Sequence, residues 1–447
     1  MEPGTFPVLA TLCAHRYSRW AAVNVENFYD TTRERPTNMV QTNGGSLGAL
    51  YHPLHGEQLE NPYPFYERAR REEPIFFSPD LDTWVVTRYD DILAILNQPD
   101  VFSSKDALRP VVRFTPAVFA ELSKGYPFVT NVVDSDGAVH SRFRNAVARA
   151  FVPSRIRALE PFIQEVIHSL VDAFEKDHQA DLISQFCYPL PLEVALHLIG
   201  VPREDMAATK KLSDCTSMLV NSPLPEELQV EYARAFVQEQ RYFLQLINER
   251  RKSPRQDLIS DLLDTPAGEQ PFDDAQLVNT LVSLVVAGHE TTTQLIGNGL
   301  FLLLSQPERW SALCAHPENI PQVIEEILRY DSPVPAFFRT TTREATVGNM
   351  TFPANTLLMV VYGSANRDES QFPHADEFDM QRAPNRHLAF GHGIHFCVGA
   401  FLARKQGQMA FETLCQRLPN LRLASQQTLS HSPILRQRGY KRLDVVW

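Results

Sequence analysis

At 447 residues, with 53 acidic against 42 basic side chains and a formal net charge of −11, the chain has no general attraction for nucleic acid or an anionic membrane surface. Hydrophobic residues make up 44% and charged residues 21%, the balance of a soluble globular protein that can bury a large core. No window offers the roughly 20 uninterrupted apolar residues of a spanning helix, so no membrane partner is expected.

The start lacks the apolar run and cleavage site of a secretory signal. Six cysteines, Cys13, Cys187, Cys215, Cys314, Cys397 and Cys415, form no C-x-x-C pair, which points to a reducing, cytoplasmic setting. Residues 1–45 hold no sustained period and are expected to form a poorly structured extension, with Met39 as a candidate alternative start. Length alone would allow about three domains.

From Tyr63 to Glu73 the pattern is helical and Pro74 stops it. Ile75–Phe77 and Trp84–Thr87 read as paired strands around Ser78-Pro79-Asp80, followed by a helix from Asp90 to Asn97. Lys105 to Thr130 shows no clean period and reads as a long irregular connection, the kind of loop that is usually functional. Helical character dominates from Ala138 to about Lys252, broken at Pro153, Pro189 to Pro191, Pro202 and Ser222-Pro223.

Phe272 to Leu304 is the longest periodic run, apolar enough on all sides to be buried. Inside it Ala287-Gly288-His289-Glu290-Thr291-Thr292 forms a polar island that costs helix propensity and burial. Such a cost in a core element suggests a use. Gly288 leaves room beside the backbone, and a threonine hydroxyl bonding a carbonyl one turn back opens a notch large enough for O₂. An acid beside an alcohol is also a sensible proton path. Alone, the same residues could merely satisfy one another or a buried water.

Pro321 to Tyr330 reads as a short helix with Glu326 and Arg329 on one face. Val334-Pro335-Ala336-Phe337-Phe338 is apolar and aromatic, and Leu357 to Tyr362 is strand-like. Near the end comes Phe390-Gly391-His392-Gly393-Ile394-His395-Phe396-Cys397-Val398-Gly399. Its glycines let backbone pass close to a flat object, Phe390 offers a ring, and a helix is expected immediately after Cys397, where unpaired N–H groups favour a thiolate. A zinc site at His392, His395 and Cys397 is conceivable, but a second Cys/His pair at finger spacing is missing.

The order Phe-Gly-x-Gly-x-His-x-Cys-x-Gly resembles the cysteine-ligand loop of the cytochrome P-450 haem-thiolate monooxygenases, of the soluble bacterial type. The resemblance runs from about Asn61 to Trp447. It implies a mainly α fold with a minor β-sheet region (α+β), haem lying between the long central helix and the helix of the cysteine loop. Cys397 would be the proximal ligand, its thiolate pushing electron density onto iron, with Phe390, Gly391 and Gly399 shaping the loop. His395, the pair His140 and Arg144, and Arg339 match the family's propionate contacts. The residues before His140, Asp134-Ser135-Asp136-Gly137, lack the proline often found there.

Ala287, Gly288, Glu290 and Thr291 match the oxygen-side motif, in which Thr291 would steady the oxygen on iron and Glu290 relay protons from solvent. His289 falls on a variable position and receives no role. Glu326, Arg329 and Arg382 match a structural charge network. Val286, Val334, Ala336, Phe337 and Phe338 would line a hydrophobic pocket, one of the two phenylalanines being core. Because the site draws on His140, Thr291, Arg339 and Cys397, residues 46–447 are expected to be a single catalytic domain.

The implied reaction inserts one oxygen atom of O₂ into an apolar small molecule, by hydroxylation or epoxidation, with haem b as cofactor. Its electrons would come ultimately from NAD(P)H through a ferredoxin or flavodoxin with its reductase, because no flavin or iron–sulfur spacing appears. Arg142, Arg144, Arg149, Arg404 and Lys405 offer that partner a basic surface. The rivals are a peroxide-driven peroxygenase and a catalytically silent haem protein that binds a partner or senses gas.

Overall fold

The structure, a computed structural model, describes residues 46–109, 114–222, 224–266 and 270–447. The expected N-terminal extension and Met39 lie outside the described residues, as does Pro223.

In chain order the helices are α1 (Gly56–Glu60), α2 (Tyr63–Glu72), α3 (Tyr89–Leu96), α4 (Pro116–Leu122), α5 (Gly137–Ala148), α6 (Pro153–Phe174), α7 (Pro189–Ile199) and α8 (Met206–Asn221). They continue as α9 (Glu226–Lys252), α10 (Leu258–Leu263), α11 (Asp274–Leu304), α12 (Pro307–Ala315), α13 (Ile320–Tyr330), α14 (Tyr362–Ala365) and α15 (Ala400–Arg417). The strands are β1 (Ile75–Ser78), β2 (Thr83–Val86), β3 (Phe102–Ser103), β4 (Gln179–Asp181), β5 (Phe337–Thr341), β6 (Ala345–Val347), β7 (Met350–Phe352), β8 (Leu357–Val360), β9 (Arg422–Leu423) and β10 (Asp444–Val446).

α11 is the axis of the helical part. Its 31 residues make it roughly 46 Å long. Asp273 caps it with a full capping box, its side chain accepting from the Gln276 N–H while the Gln276 amide oxygen accepts from the Asp273 N–H. The helix packs on α7, α8, α9, α13 and α15, so a side chain on almost any face meets another helix. That explains why its apolar girth has no single polar stripe.

The larger sheet has the order β1-β2-β8-β5-β3, with β2 and β8 parallel and the other pairs antiparallel. Strand alternation sends Ile75, Val86, Leu358 and Val360 into one cluster with Ile92 and Phe102. Their neighbours Phe76, Val85 and Met359 enter a second cluster with Tyr51, Tyr66 and Phe338. Both faces are therefore covered, and the sheet is a rigid platform for β5.

Two parts differ from the sequence expectation. The irregular stretch contains α4, started by Thr115, which accepts from the Val118 N–H, and by Pro116 in the first turn. Seven residues make less than two turns, too few to show a period. The helical run is also interrupted at His178, in the left-handed region at φ 55°, by β4, which pairs with β10 more than 260 residues away. A three-residue strand held by so distant a partner leaves no local pattern.

Candidate active site

The cysteine loop is shaped by its backbone. Gly391 and Gly393 lie at φ 70° and 69°, and a Cβ on Gly393 would come within 3.0 Å of the Leu96 carbonyl oxygen, so both positions favour glycine. The Cys397 N–H donates to the Phe390 carbonyl at 2.9 Å, closing the loop. The helix begins at Ala400, two residues later than expected, with Gly399 as its cap. Cys397 is exposed at the loop surface, yet the protein packed around its sulfur raises its pKa. The N–H groups of Gly399 and Ala400 and the charges of Arg144 and Arg404 work the other way, toward thiolate.

Phe390 is braced from beneath. The Arg404 guanidinium sits 4.5 Å from its ring centroid and holds Glu325 through both carboxylate oxygens, at 2.6 and 2.8 Å. His387 reaches the same carboxylate at 3.1 Å. Burial would raise Glu325, but His387 and Arg404 hold it at about 2. Arg404, expected on a basic docking surface, makes this bracing contact because α13 and α15 lie side by side. Lys405 likewise pairs with Glu160, Arg149 with Asp264, and Arg142 with Gln276 and the Phe272 ring.

Of the expected propionate donors, His140 and His395 come together, while Arg144 and Arg339 reach toward the same loop. His140 on α5 and His395 in the loop have ring centroids 4.3 Å apart, and neither Nε2 has a hydrogen-bond partner. Arg144, one turn on, donates to the Phe396 carbonyl at 2.6 Å. Arg339 on β5 donates to its neighbour's carbonyl at 2.7 Å and contacts Tyr362, whose hydroxyl lies 4.0 Å from where a Gly391 Cβ would be. Burial, then His395 and Arg144, push His140 down to about 4. Asp136 immediately precedes α5, in the stretch that lacks the family's proline. It accepts from Ser103 and the Ser104 N–H and lies 3.9 Å from His395. Those partners hold it at about 2 although burial opposes them.

Buried cationic and imidazole donors without an acceptor are costly unless an anion completes them. A porphyrin's carboxylates are such anions, and an exposed sulfur among N–H dipoles suits its iron. The residues present therefore fit haem.

Glu326, Arg329 and Arg382 form the charge network that the resemblance implies. Arg329 grips both Glu326 oxygens at 2.8 Å, and Arg382 donates to the same carboxylate at 3.1 Å. Asn385 and the Asp379 N–H complete it. The remaining Arg329 donors go to the carbonyls of Asn366, Ala375 and Glu377. Glu326 and Arg329 are both wholly buried, so the network ties the segment before the cysteine loop to α13.

On α11 the island runs without a break in the helix. Thr291 donates to the Ala287 carbonyl at 3.0 Å, the back-bond expected, and Ala287 is exposed. Gly288 does not open the notch. It faces α7, where a Cβ would come within 3.3 Å of that of Ala195, so the glycine serves helix packing. His289 is wholly buried, with Nδ1 2.6 Å from the Val285 carbonyl oxygen. Burial raises Glu290 to about 7, against hydrogen bonds from Ser217 on α8 and Gln437 near the C-terminus. Those two partners lie far from Glu290 in sequence, and no local pattern signals them.

β5 settles which aromatic side chains are core. Phe338 and Ala336 are buried with Tyr51, Phe76 and Met359, so neither joins the expected pocket lining. Phe337 points the other way, partly buried and 6.4 Å from the Tyr362 ring, on the face that carries Arg339. Val334 and Val286 remain partly exposed.

A family model described as "Cytochrome P450" matches residues 82–315 and 318–435. The mycinamicin IV hydroxylase/epoxidase of Micromonospora griseorubida is 36% identical over 404 residues, 89% of this chain and 98% of that protein. The P450 monooxygenase PikC of Streptomyces venezuelae is 36% identical over 409 residues, 90% of this chain and 94% of that one. Among solved structures, the Tepidiphilus thermophilus P450 heme domain superposes with a TM-score of 0.86 at 30% identity, covering 90% of this chain and 97% of that chain. The chain belongs to the cytochrome P450 family. It is a haem-iron monooxygenase that uses O₂, acts on a small molecule and draws electrons from a redox partner. Among the described residues no helix is long and apolar enough to cross a membrane.

Proposed function

We propose that the protein inserts one atom of O₂ into an apolar small molecule of secondary metabolism, by hydroxylation or epoxidation, with Cys397 as the iron ligand. The observation that carries the assignment of the site is the exposed Cys397 thiol beside two imidazoles, His140 and His395, whose Nε2 atoms lack an acceptor. The relatives' names support the substrate class: one hydroxylates or epoxidises mycinamicin IV, and another belongs to polyketide biosynthesis.

Haem b, when bound, supplies the iron at which O₂ is reduced by two electrons. The protein's part is to hold and protonate. Cys397 would donate its sulfur to the iron, the N–H groups of Gly399 and Ala400 and the charges of Arg144 and Arg404 favouring its anion against the burial that raises its pKa. His140, His395, Arg144 and Arg339 hold the propionates. Glu326, Arg329 and Arg382 fix the segment leading into the cysteine loop. Glu290, poised near neutrality, hands protons toward Thr291, whose hydroxyl presents them to the reacting oxygen. Phe337, Val334 and Val286 offer apolar surface to the substrate.

Residues 46–447 act as one catalytic unit, since those groups come from α5, α11, β5 and the cysteine loop. The electrons reach it in the cytoplasm from NAD(P)H through a separate ferredoxin or flavodoxin. With most basic side chains near the loop already paired, the exposed Ile394, Phe396 and Phe401 supply apolar contact to that partner.

The test is the carbon monoxide spectrum of the reduced, haem-loaded protein. The far-shifted thiolate band is expected in the wild type and absent in Cys397→Ser. A wild type without the band overturns the assignment. Turnover with peroxide alone that equals the reductase system and ignores Thr291→Ala would make it a peroxygenase.

A further inference from the structure

A polar seam runs where α8, α9 and α11 meet. Asp214, half-buried on α8, accepts a hydrogen bond from the Tyr188 hydroxyl at the start of α7. The Lys210 ammonium lies 4.1 Å from the Tyr188 ring centroid. Deeper in, Thr216 donates to Glu239 at 2.5 Å and Ser217 bonds Glu290. Glu239 is wholly buried and the Glu290 side chain is 12% exposed. Asp214 is close enough to both carboxyls for its charge to act on each.

Several buried polar atoms here have no partner: Glu239 Oε1, Glu290 Oε2, Ser213 Oγ and His289 Nε2, the last 4.0 Å from Glu290 Oε1. Polar atoms left in this state are where internal water binds. Lys210, Tyr188 and Asp214 are each partly exposed and so reach solvent, and the Glu290 side chain is 12% exposed. The other hydrogen-bond partner of Glu290, Gln437, carries an amide that does not titrate.

We propose that Asp214 is the proton intake of the active site, passing protons from solvent to Glu290 through Ser217 and seam water. This rests on the reading of Glu290 as the inner proton donor. In each transfer an O–H bond breaks on Asp214 and one forms on the Glu290 carboxylate. Asp214 then regains a proton from solvent beside Tyr188 and Lys210. No electron moves, and one proton has travelled inward. Asp214 acts through Glu290 and does not touch the reacting atoms.

The experiment compares wild type, Asp214→Asn, Glu290→Gln and Tyr188→Phe as full-length holoproteins. Two readouts are taken. The first is an infrared pH titration of the buried carboxyl band assigned to Glu290 by its loss in Glu290→Gln. The second is oxygen consumption driven by a saturating surrogate ferredoxin, in H₂O and D₂O. Asp214→Asn is expected to move the Glu290 midpoint down, because a like charge is gone, and to slow oxygen consumption about tenfold with a larger solvent isotope effect. Tyr188→Phe, which spares both acids, gives a smaller slowing in the same direction and stands in if Asp214→Asn does not fold. If Glu290→Gln is slow while Asp214→Asn or its stand-in keeps the wild-type rate and isotope effect, the intake is overturned and the Glu290 reading stands. If Glu290→Gln itself matches wild type, both fall.

Discussion

His140 and His395 lie with ring centroids 4.3 Å apart and planes tilted by 54°, both Nε2 atoms buried without a hydrogen bond and that of His395 3.9 Å from the Asp136 carboxylate. Two imidazoles so placed repel when charged, so the pair stores a preference for an incoming anion. His140→Ala should therefore weaken haem retention, seen as about a tenfold faster transfer of haem to an acceptor globin, roughly the worth of one charged hydrogen bond. The haem-free variant should resist acid better. His140 titrates near 4 in the fold and 6.5 when unfolded, so its neutral form is favoured by folding. That contribution is intact above pH 6.5 and is lost as pH falls toward 4, by up to about 3 kcal/mol. Urea midpoints of haem-free wild type and variant should converge above pH 7 and part below 6.

Glu290 carries the opposite sign. Burial raises it from 4.5 to about 7, so the protonated form is favoured in the fold. Its contribution is complete below pH 4.5 and is lost as pH rises through 7. Glu290→Gln, which cannot ionise, should match wild-type stability at pH 5 and exceed it at pH 8.5, by an amount of order 1–3 kcal/mol. Thermal midpoints at the two pH values check this.

What the sequence made legible was chemistry packed into short spans. Ten residues hold the cysteine, its bracing phenylalanine and two glycines forced to positive φ, and Glu326 with Arg329 share a face by helix spacing alone. What escaped depends on distant partners. Nothing local says that Ser217 and Gln437 bond Glu290, that Arg404 turns inward to Glu325, or that β4 pairs with β10. Gly288 was misread for the same reason, since only the approach of Ala195 shows which way it faces. The approach to β5 shows the limit from the other side: the five consecutive apolar residues 334–338 do not reveal which face meets the site until Arg339 and Tyr362 are placed together.

Glu326→Ala should be among the most damaging single changes away from the cysteine. It leaves Arg329 and Arg382 as buried cations without their carboxylate, a loss of about 3–5 kcal/mol. Glu325→Ala removes a partner from a less buried pair and should cost about 1–2 kcal/mol, while loosening Phe390. Urea unfolding separates the two sizes. The second variant should still bind haem, with a thiolate band that is broadened or partly lost.

The two glycines flanking the sulfur should differ sharply. Gly393 sits at φ 69° with the Leu96 carbonyl oxygen 3.0 Å from a Cβ position, so Gly393→Ala meets both backbone strain and a fixed neighbour. A left-handed alanine costs roughly 1–2 kcal/mol before any clash. Because Gly393 also accepts from the Phe396 N–H at 3.0 Å, the strain is delivered one residue from Cys397. Gly399 lies at φ −86°, and its nearest neighbours to a Cβ, Phe151 and the Cys397 sulfur, are at 3.7 and 3.9 Å, ordinary contacts. Gly399→Ala should cost under about 1 kcal/mol, the usual price of a cap substitution. The carbon monoxide spectrum reads the difference directly: Gly393→Ala should lose most of its thiolate band and Gly399→Ala should keep it. The reverse order would mean that contact with the haem face, and not backbone conformation, sets the shape of the loop.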